Sequence, residues 1–73
     1  MGRNDMLDMN PITKVRKHLM LSKVEFAEIL GVLRVSLQRW ELGQTKPRMK
    51  IVRKIKEIAN SNNIEVDLSD IIQ

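Results

Sequence analysis

Between Ser22 and Gly43 the chain carries start and stop marks for two helices so short and closely spaced that few arrangements can hold both. Ser22 followed by Glu25 is a capping box. The hydroxyl accepts from the Glu25 amide and the carboxylate from the Ser22 amide, which satisfies two donors orphaned at a helix start. Phe26, Ala27 and Leu30 follow at helical spacing, and Gly31 stands where a left-handed residue ends the helix. Three residues later a second helical pattern starts, with Leu37 and Trp40 on its inner face and Gly43 at its close. Helices this short are not stable alone in water. Both must bury their apolar sides against each other and against a shared core.

Further helices supply that core. Asn10-Pro11 reads as a cap followed by the favoured first helical residue, with Ile12, Val15 and Leu19 at helical spacing behind it. Gln44-Thr45-Lys46-Pro47 is a turn, because proline disfavours helix in the residue before it. A longer helix is expected from about Arg48 to Asn60, with Val52, Ile55 and Ile58 or Ala59 inward, ended by Asn60-Ser61-Asn62-Asn63. Asp67 to Ile72 reads as a last helical turn with Asp67 capping; the alternation from Ile64 to Leu68 leaves a short strand as the alternative. Residues 1–9 are expected to form a flexible tail and residues 10–73 a single domain. The expected class is all-α, a compact bundle of four to five helices.

Composition narrows the functions such a bundle can have. A chain of 73 residues buries a modest fraction of its surface, and without cysteine it has no disulfide, zinc-thiolate or thiol chemistry to add. No apolar run approaches the ~20 residues of a membrane span, and no leader-like apolar stretch follows Met1, so a cytoplasmic location is expected. Enzyme chemistry is not expected. His18 is the single histidine and stands among Arg16, Lys17 and Leu19, tyrosine is absent, and the three glycines form no phosphate-binding loop. No cofactor or metal is implied.

Charge is more informative once divided along the chain. Residues 11–56 carry 12 Lys or Arg against Glu25, Glu28 and Glu41, a net +9, whereas residues 57–73 carry −4. That is the electrostatic footprint of a polyanion binder. A membrane surface fits less well, since Phe26 and Trp40 occupy core-like positions.

Two short helices joined by a tight glycine turn inside a basic helical domain form the helix-turn-helix pattern. With Leu21-Ser22-Lys23-Val24-Glu25-Phe26-Ala27-Glu28-Ile29-Leu30-Gly31-Val32, then Arg39-Trp40-Glu41-Leu42-Gly43 and Lys46-Pro47, the chain resembles the lambda-repressor-like, Cro/CI (XRE-type) DNA-binding family from about Ile12 to Ile72. The resemblance implies that the helix after Gly31 enters a DNA major groove and reads base edges through Leu33, Arg34, Val35, Gln38 and Arg39. Arg34 and Arg39 suit guanine, Gln38 suits adenine or a phosphate. Implied phosphate contacts are Ser22, Lys23, Ser36, Thr45, Lys46 and Arg48, while Lys50, Arg53, Lys54 and Lys56 read as a solvated face. Arg16 and Glu41 match a partly buried ion pair joining the first and third helices.

The sequence departs from that family in two places. Lys23 replaces the usual glutamine, and Leu33-Arg34-Val35 replaces small polar residues. An exposed Leu33 and Val35 suit thymine methyl groups or a protein partner. The resemblance thus implies a regulator, foremost a repressor, binding double-stranded DNA as a homodimer, with residues 64–73 the candidate dimer surface. An antitoxin that holds a toxin and represses its own operon is one alternative. A protein-interaction module that has lost DNA binding is the other.

Overall fold

The computed structural model describes residues 10–68, and within them four helices and no strand. These are α1 (Pro11–His18), α2 (Lys23–Leu30), α3 (Arg34–Glu41) and α4 (Met49–Ser61). Asn10 caps α1, its side-chain oxygen accepting from the Ile12 amide at 2.8 Å. Ser22 and Glu25 cap α2 reciprocally: the Ser22 amide donates to Glu25 Oε1 at 2.8 Å and the Glu25 amide to Ser22 Oγ at 3.1 Å.

One core gathers all four helices. Ile12 and Val15 of α1, Phe26, Ala27 and Leu30 of α2, Leu37 of α3, and Val52, Ile55 and Ala59 of α4 are buried together with Ile64 and Leu68. Leu19, Trp40 and Ile58 are partly buried against this cluster. Among the described residues no buried side-chain nitrogen or oxygen lacks a hydrogen bond. The interior is therefore apolar and fully satisfied, as a chain with so little core requires.

The four helices stop in one manner. Each is followed by a residue of positive φ, namely Met20, Gly31, Gly43 and Asn63. The amide after it reaches back to an earlier carbonyl: Leu21 to Arg16, Val32 to Ala27, Gln44 to Arg39 and Ile64 to Ala59, at 2.8–3.1 Å. These bonds satisfy carbonyls left open at a helix end. Glycine and asparagine suit the position; methionine does not, because its Cβ crowds the backbone there. Met20 is 90% exposed, so its side chain repays none of that cost by burial. Met20→Gly is expected to stabilise the domain by about 0.5–1 kcal/mol, a melting rise of a few degrees. Met20→Ala, which keeps the Cβ, should give no such gain in a thermal melt.

The segment after α4 departs from the strand alternative. Asp67, the expected cap, lies outside any helix, as a cap does, and residues 69–72 of the expected final turn lie outside the described residues, as does the expected tail over residues 1–9. The alternation from Ile64 to Leu68 is present without a strand. Ile64 and Leu68 are buried, Val66 is half-buried, and Glu65 and Asp67 are exposed. No second strand lies among the described residues to pair with it, so the alternation instead presses a strap onto α4 beside Val52 and Ala59.

Candidate nucleic-acid interface

The geometry of α3 is set first by the turn before it. Gly31 takes φ +73°, its amide donates to the Glu28 carbonyl at 3.1 Å, and the Val32 amide closes on Ala27 at 2.9 Å. Leu33 is extended, and α3 begins at Arg34. Any residue with a Cβ would be strained at Gly31. Leu37 then anchors the helix on the core, fully buried, with Trp40 half-buried one turn on.

Two polar ties from α1 complete the placement. Arg16 grips Glu41 with two parallel bonds, Nε to Oε2 at 2.8 Å and Nη2 to Oε1 at 3.0 Å. Its Nη1 also donates to the Leu21 carbonyl at 3.1 Å. The side chains are 11% and 6% exposed, so little water competes for them. Asn10, beyond capping α1, donates from Nδ2 to the Trp40 carbonyl at 3.0 Å. Both ties end on the last turn of α3, which leaves its first turns free to face outward.

That outward face carries Arg34, Val35 and Arg39, all exposed, and a half-exposed Gln38. Arg34 Nη1 donates to Gln38 Oε1 at 3.3 Å, one helical turn apart. No hydrogen bond or ion pair engages the Arg39 guanidinium among the described residues. Leu33 is 71% exposed and Val35 46%. Ser36 lies elsewhere: it is half-buried and lines a groove with Leu33, Trp40, Arg48, Lys50 and Ile51, on the side of α3 that turns toward α4.

Around this face the helix starts differ in a way that matters for anions. The N-terminus of α2 is already served by the Glu25 carboxylate, which satisfies the Ser22 amide. Ser22 Oγ is likewise engaged, accepting from Glu25, and its hydroxyl proton remains able to donate. Lys23 beside it is half-buried. The starts of α3 at Leu33 and of α4 at Arg48 have no side-chain cap at all. Their first amides keep the partial positive charge of a helix N-terminus. Thr45, Lys46 and Arg48 are exposed around the buried Pro47, immediately before the open start of α4. Lys50 and Lys54 flank the groove beside it, Arg53 is exposed, and Lys56 is exposed beside the segment after α4.

Two features of the site escaped the sequence reading. The link from Asn10 to Trp40 spans 30 residues and has no local signature. The uncapped start of α4 did have a local signal, since Arg48 offers no acceptor where a cap belongs. Among the described residues no group of three or more His, Cys, Asp or Glu gathers to hold a metal ion. No helix there is long and apolar enough to cross a membrane.

A family model described as helix-turn-helix matches residues 12–60, about two thirds of the chain. The match covers α1, the α2–turn–α3 unit and nearly all of α4. No curated protein matches the chain, and no solved structure does. With its all-helical core, glycine turn and outward basic third helix, the chain belongs to the XRE-type, lambda-repressor-like helix-turn-helix family, whose members bind DNA sequence-specifically to regulate transcription.

Proposed function

We propose that the protein is a cytoplasmic repressor that occupies an inverted-repeat operator as a homodimer, with α3 in the major groove. The observation that carries this reading is the outward face of α3: exposed arginines and a glutamine, on a helix whose opposite side is locked to the core and to α1. On this reading Leu33, Arg34, Val35, Gln38 and Arg39 meet base edges, the apolar pair lying against thymine methyl groups. Phosphates meet Lys46, Thr45 and Arg48 with the open α4 start, and Ser22, Lys23 and Ser36 more peripherally. Occupancy of an operator blocks polymerase without catalysis, so no cofactor is needed.

The dimer surface is constrained by the strap. Ile64 and Leu68 are used in the chain's own core. A contact through residues 64–73 is therefore left with the exposed Glu65 and Asp67, the half-buried Val66, and residues beyond 68. Deleting the whole segment removes two core residues and does not test dimerisation. Charge reversal at the exposed Glu65 does.

Selection from a randomised duplex library at about 150 mM salt is expected to recover an inverted repeat bound at least ~10³-fold tighter than scrambled DNA. Arg39→Ala should lower that discrimination by ~1–3 kcal/mol and relax preference at one base pair per half-site. Its melting temperature should stay near that of the parent. Equal affinity for selected and scrambled duplexes, in the parent itself, would refute operator recognition.

A second reading draws on Leu33, Val35 and Leu42, three exposed apolar side chains on or beside α3. They suit a protein partner in place of DNA. Arg39→Ala separates the two, since it should leave an apolar protein contact intact.

A further inference from the structure

The hydrogen bond between Arg34 and Gln38 bears on which base the recognition helix selects. A guanidinium has only donors, so the amide atom facing it must be the carbonyl oxygen. The amide NH2 of Gln38 is then the end turned away from Arg34. Glu41, one turn further along, does not intervene, because both of its oxygens are held by Arg16. No carboxylate among the described residues pairs with Arg34.

Resting on the operator reading above, we infer that Arg34 and Gln38 act as one donor-only reading unit that selects guanine, and that Arg34 denies Gln38 the adenine pairing a lone glutamine makes. Complementary edges decide the choice. Guanine presents two acceptors in the major groove, O6 and N7, whereas adenine presents one acceptor and the N6 amino donor. Pairing with adenine needs the glutamine carbonyl as an acceptor and its NH2 as a donor together. Arg34 already occupies that carbonyl. One lone pair of the oxygen stays open, but an amino group reaching it approaches a full positive charge one hydrogen bond away. The same charge attracts the guanine edge. Gln38 is therefore a specificity-determining residue whose preference is set by its neighbour.

The test is base-preference selection from a randomised duplex library with the parent, Arg34→Met, Gln38→Ala and the double variant. Thermal melts establish that each is folded; both side chains are surface groups. The parent should enrich guanine at the base pairs that either substitution relaxes. Arg34→Met should raise adenine over guanine at the Gln38 base pair, a swing of about 5- to 150-fold. The gain should vanish in the double variant, so the two effects are non-additive. Adenine already preferred by the parent at that base pair, or effects of the two substitutions that simply add, overturns the inference while the operator reading stands. Absence of any enriched site overturns both.

Discussion

Glu41→Ala is expected to destabilise the domain by about 3–5 kcal/mol while leaving its base preference unchanged. The substitution removes both acceptors that Arg16 uses at 2.8 and 3.0 Å, and leaves its guanidinium with the Leu21 carbonyl alone. A charge so little exposed has few waters to turn to, and the tie between α1 and the last turn of α3 is lost with it. A domain of this size has a total stability of only about 4–11 kcal/mol, so the loss is a large share of what holds it folded. Chemical denaturation reads the effect directly. Arg16→Met combined with Glu41→Leu should lose much less than either single change, because an apolar pair carries no desolvation penalty. Salt should weaken the parent little, since a nearly buried pair is poorly screened. A Glu41→Ala midpoint shift equivalent to less than ~0.5 kcal/mol, the scale of an ordinary surface change, would show that the pair contributes orientation without stability.

Phe26→Ala is expected to be as damaging for an unrelated reason. Phe26 is fully buried in the cluster that also holds Ile12, Val15, Leu30, Leu37 and Ile55. Truncation removes its transfer free energy and leaves a cavity that neighbouring helices fill only partly, a loss of about 3–5 kcal/mol. The described residues share one core, and the chain has no cysteine to compensate. The variant should be largely unfolded or marginally folded near 37 °C and bind no operator there. Phe26→Leu, which keeps most of the volume, should lose about 1.5 kcal/mol or less and retain DNA binding. Circular dichroism melts of both, run beside a DNA-binding assay at low temperature, distinguish loss of fold from loss of contacts. A cooperative Phe26→Ala melt close to the parent would mean that the site collapses fully around the missing ring.

Much of this architecture was legible in the residues themselves. The capping box at Ser22 and Glu25, the asparagine cap at Asn10 and the left-handed stop at Gly31 each act within about four residues, so local chemistry specifies them. The apolar spacing likewise identified Phe26, Leu37, Val52 and Ile55 as core. Met20 was not legible, because nothing local favours methionine in a left-handed position; its conformation follows from the bonds that close the end of α1. The strap over residues 64–68 was open in the sequence for a related reason. Its alternation is a local property, but whether alternating residues form a strand depends on a pairing partner elsewhere in the chain.

Of the candidate site, the basic third helix and its exposed side chains could be read directly, since they follow from helical spacing around Leu37. Which groups are already engaged could not. Ser36 turned toward α4 and Arg34 bonded to Gln38 became visible only in three dimensions.

By itself, then, the sequence determined where three of the four helices start and stop, the sharp turn between α2 and α3, and the sign of the charge that α3 presents. Those depend on caps, glycines and periodicity, whose physics reaches no further than one or two helical turns. Only the tertiary structure decided the Asn10–Trp40 tie, the burial of Ile64 and Leu68, and the groove into which Ser36 turns. These are contacts between residues far apart along the chain, and they exist only when a single core draws every helix against it.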